Sequence, residues 1–207
     1  LRSVVMEKSL SLFTILVSFP FPPPHMNVDG DDALLLAVKH DRYLAFDYLV
    51  RIDRQNIAKS VNPFTLRNPF HYAALAPENS SILLDIASRF RDEVALAMPD
   101  KDGATPLFLA IASGILARVI AIAAPILPMS GIKKFKGPHG RTTLHHACAL
   151  GHKAIAEYLW AAGGLEFKRK DSKGKRPVDL AKANGHQHIV DWIQSKPDRK
   201  DIDRNQT

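Results

Sequence analysis

The sequence predicts an all-α solenoid of about five helix-turn-helix units joined by hairpin fingers, and three features of its pattern support this. One apolar pattern recurs along the chain, with an alanine in the middle of the first helix of each unit. These alanines, spaced 36, 37, 37 and 34 residues apart, are Ala37, Ala73, Ala110, Ala147 and Ala181. Helix-start residues precede them and glycines follow three of them. Units this short cannot bury their apolar faces alone, so we expect them to stack.

Helix starts are predicted before the alanines of units two, three and four. Thr105 precedes Pro106, and we expect the threonine oxygen to cap free backbone N–H groups while proline takes the first helical position. Asn68 and Pro69 form the same pair in unit two, and Thr142 starts unit four without a proline. Each first helix therefore has a defined beginning.

The first helices end at glycines, and second helices follow. Gly114, Gly151 and Gly185 each lie four residues after the alanine, where a left-handed residue ends a helix. The second helices carry one apolar stripe, which we expect to be shifted by about one residue in unit three. Trp192 lies off the stripe of the last unit, so it is expected either on the surface or under the C-terminal tail.

These units resemble the ankyrin repeat family. The resemblance rests on "TPL", "TLHHACALGHKAIAEYL", "GKRPVDLAKANGHQHIVDWI" and the "DKDG" turn, and it covers about residues 28–195. It implies repeats near 28–62, 63–98, 99–136, 137–169 and 170–195. An apolar, proline-rich arm (1–27) would precede them and a polar tail (196–207) would follow. The polar ends lead us to expect a complete array, and the long connection "APILPMSGIKKFKGPHG" predicts an enlarged finger.

Four residues close together in unit four raise the question of chemistry. His145, His146, Cys148 and His152 could form a metal site or an activated cysteine. In the ankyrin pattern, however, His145 and its counterpart His71 hydrogen-bond near the turn of the repeat. Cys148 lies in a small-residue stretch typical of buried helices. We therefore expect no metal, no cofactor and no catalytic residue, with His146 facing the concave, partner-binding side.

Charge is distributed unevenly along the chain. Residues 1–130 hold 12 Lys and Arg against 13 Asp and Glu, whereas residues 131–207 hold 16 against 8. Fingers of the ankyrin family project beside the concave face, where partners commonly bind. The cations predicted on the two fingers entering units four and five, and hence the candidate contacts, are Lys133, Lys134, Lys136, Lys168, Arg169, Lys170, Lys173, Lys175 and Arg176.

The resemblance and the charge together predict a non-catalytic protein–protein interaction module. We expect a monomer in the cytoplasm that binds an acidic protein partner. One alternative is the targeting portion of a larger enzyme or bacterial effector, which would act in a host cytoplasm. Another is binding of nucleic acid or anionic lipid. Nucleic acid is the poorer of these because only one aromatic residue is interleaved with the cations.

Overall fold

The computed structural model describes residues 26–53, 56–77, 80–90, 93–126, 136–163 and 167–196. Nearly all of the predicted N-terminal arm and C-terminal tail, Lys133 and Lys134, and most of the connection predicted as an enlarged finger lie outside these residues. Within them, no helix is long and apolar enough to span a membrane.

The described residues form an all-α solenoid. Two short helices between units, α3 and α6, were not predicted. In chain order the helices are α1 (Ala33–Lys39), α2 (Tyr43–Ile52), α3 (Asn56–Lys59), α4 (Pro69–Leu75), α5 (Ser81–Arg89), α6 (Glu93–Ala97), α7 (Pro106–Ala112), α8 (Leu116–Ala123), α9 (Thr143–Leu150), α10 (Lys153–Gly163), α11 (Pro177–Ala183) and α12 (Gln187–Gln194).

The helices stack in two layers. The first helices α1, α4, α7, α9 and α11 each pack against the next, and so do the second helices α2, α5, α8 and α10. Their buried side chains form one core that continues from Leu34 to Ile193. The largest of these side chains include Phe46 and Phe70. The predicted stacking of short amphipathic units is confirmed.

Local signals fix the ends of the first helices. The side chains of Asn68 and Thr142 each accept a hydrogen bond from the backbone N–H three residues later, which caps α4 and α9. Gly114, Gly151 and Gly185 have φ of 74°, 83° and 77°, in the left-handed region that other residues rarely adopt. Both predictions are confirmed at these positions.

The predicted cap at Thr105 is wrong. Thr105 precedes Pro106 at the start of α7, yet its hydroxyl has no hydrogen-bond partner among the described residues. The residue three positions after Thr105 is Phe108, whereas units two and four have a histidine there. The Phe108 ring reaches under Gly137, where an added Cβ would lie 2.2 Å from a ring carbon. The third unit thus replaces polar capping by apolar packing against the next finger.

The stripe of α8 is in register with its neighbours, so the predicted one-residue shift is wrong. Its buried positions lie four, five and eight residues after Gly114, as those of α10 do after their own glycine. The first of them is Arg118, followed by Val119 and Ile122. The Arg118 guanidinium is buried and donates a hydrogen bond to the carbonyl oxygen of Ala76 in unit two. An arginine at an apolar position produces the apparent shift.

Trp192 is buried, so of the two positions expected for it the surface position is wrong. The C-terminal tail, the other expected neighbour, lies almost wholly outside the described residues. Its ring meets Trp160 edge-on at 6.3 Å and Phe167 at 5.4 Å between ring centroids. Trp160 and Phe167 are themselves stacked at 5.8 Å. Since Phe167 belongs to the connection between α10 and unit five, the aromatic cluster closes the joint between the last two units.

Replacing Gly137 by alanine should destabilise the fold by about 1–3 kcal/mol, because the new methyl group would overlap the Phe108 ring. The backbone itself accepts alanine, since φ of Gly137 is −99°. Urea unfolding measures the change. In a Phe108→Ala background the same substitution should cost much less. An equal cost in both backgrounds would show that the ring is not the obstacle.

Candidate partner-binding fingers

Each unit begins with a tight turn, and we call these turns fingers one to five. The first residue of each finger donates its backbone N–H to a carbonyl oxygen four or five residues later; these residues are Asn27, Asn62, Asp100, Gly137 and Asp171. In four of the fingers, the side-chain oxygen of that residue accepts two further backbone N–H groups. An Asn or Asp five or six residues before four of the five first-helix caps is a signal that the sequence reasoning missed.

Buried histidines attach fingers three and five to the first helix of the preceding unit. His71 and His145 each place Nδ1 near the backbone N–H of their own helix cap. Nε2 of His71 lies 3.1 Å from the carbonyl oxygen of Ala104, and Nε2 of His145 lies 3.0 Å from that of Lys175. Burial lowers the pKa of His71 to about 4 and also lowers the pKa of His145. The role predicted for these histidines at the turns is confirmed.

Fingers four and five are joined side by side. The Ser172 backbone N–H and hydroxyl both donate to the carbonyl oxygen of His139, at 2.9 and 2.6 Å. Nε of Arg141 lies 3.4 Å from a carboxylate oxygen of Asp171. The two fingers that carry the predicted contact residues therefore hold a fixed position relative to each other.

Asp171 organises the turn of finger five. One carboxylate oxygen accepts the backbone N–H groups of Lys173 and Lys175, each at 2.9 Å. Burial alone would raise the pKa of Asp171, but these hydrogen bonds and the Arg141 guanidinium outweigh it, so the pKa lies below its usual value. The carboxylate thus stays ionised inside the finger, and the lysine side chains project from a fixed backbone.

The predicted cations within the described residues are all exposed. Arg176 pairs with Asp179 of its own helix at 3.0 Å, which offsets its charge. Lys168 also makes an interaction of its own. The remaining cations have no ion pair with a described acidic residue. We call them the basic finger surface: Lys136, Arg169, Lys170, Lys173 and Lys175.

Cys148 and His146, whose close spacing raised the question of chemistry, are packed within the fold. Cys148 is buried, and burial raises its pKa to about 12. His146 is half-buried, its ring centroid 5.2 Å from that of Phe108, and burial lowers its pKa to about 4. His146 shares the more exposed side of α9 with Leu150. No group of three or more potential metal ligands occurs among the described residues.

Comparison with known proteins finds a family match in the C-terminal part of the chain. Residues 122–206 match the model of ankyrin repeats, in three copies. A protein of Acanthamoeba polyphaga mimivirus, named as an ankyrin repeat protein, is 37% identical over 65 residues, which are 31% of this chain. The chain spans only about 9% of the length of that relative. Ankyrin repeats are generally non-catalytic protein–protein interaction modules.

Units three and four meet differently from their neighbours. The Arg67–Asp100 pair, at 3.2 Å, joins fingers two and three as the arginine–aspartate pair described above joins four and five. At the next joint, Phe108 stands in the place of the linking histidine, Ala104 in that of the arginine and Gly137 in that of the turn aspartate. All three polar linking groups are therefore replaced at once, and apolar contacts take over.

Cys148 should not react with iodoacetamide in the native protein at pH 8. Its thiol is buried and its raised pKa leaves little thiolate. Mass spectrometry should find the alkylated cysteine only after denaturation. Rapid alkylation of the folded protein would contradict the structural role given to this residue.

Stability should fall as the pH is lowered from about 7 to about 4. The folded pKa of His71 is about 4 and its unfolded pKa is about 6.5, so the unfolded chain takes up the proton first in this window. The expected loss of unfolding free energy from this residue is at most about 3 kcal/mol. Urea unfolding at several pH values measures it. The His71→Gln variant should show a weaker pH dependence, and an unchanged dependence would exclude His71 as its source.

Proposed function

We propose that this array is a monomeric protein-binding module that holds an acidic segment of its partner on the basic finger surface, with His146 as an additional contact. The supporting observation is that five exposed cations lie on or directly beside two linked fingers, while the described acidic side chains nearest to them in the chain are already used. Asp171 is buried inside its turn, and Asp179 pairs with Arg176. A partner that supplies carboxylates would complete the charge balance.

The energetic character of such a surface follows from its exposure. An exposed ion pair contributes about 0.2–1 kcal/mol, so useful affinity needs several contacts made together. Their main effect is to steer an acidic partner toward this end of the array. The fixed backbones of fingers four and five reduce the entropy lost on binding, because only lysine and arginine side chains have to become ordered. Binding on this surface would weaken as salt is added.

The other functions are weaker. The short span of this chain relative to the mimivirus protein favours a second candidate, in which the array targets a longer protein to its partner. Cytoplasmic location, of the cell or of a host, remains part of the proposal. Nucleic acid is less favoured, because the basic finger surface consists of lysine and arginine alone and offers no ring for bases to stack on. Binding to anionic lipid would need the same cations but no particular partner shape.

Reversing the charges of Lys170 and Lys173 at finger five should weaken binding of the partner. The tagged full chain, its Lys170→Glu/Lys173→Glu variant and a Lys153→Glu/Lys196→Glu control would be compared for capture of proteins from the source cell. The control makes the same net charge change away from the fingers. We expect a partner retained by the control and weakened roughly tenfold or more by the finger variant.

Three results would count against the proposal. Equal retention by both variants would show that the basic finger surface is not used. Loss of binding after nuclease treatment would indicate nucleic acid instead. If the chain bound anionic vesicles of phosphatidylserine and retained no protein partner, the result would indicate that it binds a lipid surface.

A further inference from the structure

Large exposed apolar side chains lie on the fingers at the opposite end of the array. Met26 directly precedes finger one, Val28 belongs to it, and Phe64 and Leu66 belong to finger two. Val28 is 96% exposed and Phe64 is 66% exposed. We call these four residues the apolar finger surface. The projecting side chains of the fingers therefore change from apolar at the N-terminal end to cationic at the C-terminal end.

The apolar side chains project from an ordered backbone. The Phe64 backbone N–H donates a hydrogen bond to the side-chain oxygen of Asn62, 2.9 Å away. The Phe64 ring lies against finger one, where a Cβ on Gly30 would be 2.7 Å from it. Leu66 has φ of 57°, a left-handed conformation that leucine rarely adopts. A glycine or asparagine would relieve that strain. A leucine held there, and 43% exposed, is consistent with a surface kept for contact.

We infer that the partner segment is an extended peptide with two recognition elements, an apolar side chain for the apolar finger surface and a cluster of carboxylates for the basic finger surface. This inference rests on the proposed function, since it assumes that acid meets fingers four and five. It adds a second contact site and a spacing. Charge complementarity favours the contact at the basic finger surface, and burial of exposed apolar area favours the contact at the apolar finger surface.

Charge also sets the direction in which the segment lies. Asp29 is exposed beside Val28 on finger one, so a carboxylate of the partner would be repelled there. Asp31 on the same finger is neutralised by Lys39 at 2.7 Å. The acidic part of the segment is therefore directed away from finger one and toward finger five. The apolar part is the one that fingers one and two accept.

The stacking of the units gives the spacing between the two elements. Finger two and finger five are three units apart, and packed helices are 8–10 Å apart, so the separation is about 25–30 Å. An extended chain rises about 3.3 Å per residue, so eight or nine residues cover this distance. Finger three lies between and carries both Lys101 and Asp102, with no net preference for either element.

Selection from a library of random peptides about 20 residues long, displayed on phage and bound to the intact chain, tests the inference. We expect enriched peptides to share an acidic cluster and one aromatic or aliphatic residue about eight or nine positions from it. Enrichment of acidic clusters with no apolar residue at a fixed spacing would overturn this inference and leave the proposed function standing. Enrichment without acidic clusters would overturn both.

Variants then assign the two elements to their surfaces. Fluorescence anisotropy with an enriched peptide should show roughly tenfold weaker binding to Val28→Ser/Phe64→Ser than to the intact chain. The Leu44→Ser/Leu84→Ser variant, which removes exposed apolar groups from the second helices, should bind normally. The Val28→Ser variant alone, at a nearly fully exposed site, serves if the double variant has a lowered thermal midpoint, and should still weaken binding severalfold.

Replacing the apolar residue of the peptide by serine should abolish the difference between the intact chain and the Val28→Ser/Phe64→Ser variant. A difference that persists would overturn the inference. Two other occupants of the apolar finger surface are also distinguishable. If the difference appears only after residues 1–25 are removed, those residues cover the surface. If sedimentation shows a dimer that Val28→Ser/Phe64→Ser dissociates, a second copy covers it. Either result would overturn the assignment to a partner peptide.

Discussion

The array depends on hydrogen bonds that polar side chains make to the backbone of the finger turns. A tight turn without strand neighbours leaves backbone N–H groups that need partners. Asn27, Asn62, Asp100 and Asp171 supply those partners from inside their own fingers, and His145 supplies a link from the first helix of the preceding unit. Because the backbone is satisfied internally, the side chains that point outward carry no structural duty. One turn geometry can thus display valine and phenylalanine at one end of the array and lysine at the other.

The joint between units three and four shows what happens when those links are absent. Phe108 fills the space with a ring, and Gly137 makes room for it. His146 packs on the same ring, so its half-buried position follows from the joint as well as from its helix. Ring packing is less directional than a histidine–carbonyl bond or an arginine–carboxylate pair. A ligand that reaches from finger two to finger five crosses this joint, and would hold together the two polar-linked halves of the array.

Sequence reasoning predicted the parts of the fold that depend on local pattern. Helix caps, left-handed glycines and apolar stripes each need only a few neighbouring residues, and most of them were predicted correctly. The errors at Thr105, Arg118 and Trp192 share a cause, since each depends on a residue or carbonyl far away or in an irregular connection. The exposure of the cations could be predicted from their place in turns. That Arg176 is offset by Asp179, and that Asp171 is buried, required the three-dimensional structure.

The two finger surfaces provide different kinds of recognition. Exposed cations act over about a Debye length, weaken with salt and tolerate small displacements, so they attract a partner without fixing its position. Apolar contacts act only at close range and persist in salt, so Val28 and Phe64 can fix a register that the lysines cannot. Neither surface alone would distinguish one acidic segment from many. Their separation by three units turns two unspecific contacts into one requirement on spacing, which a rigid stack of short helices can impose.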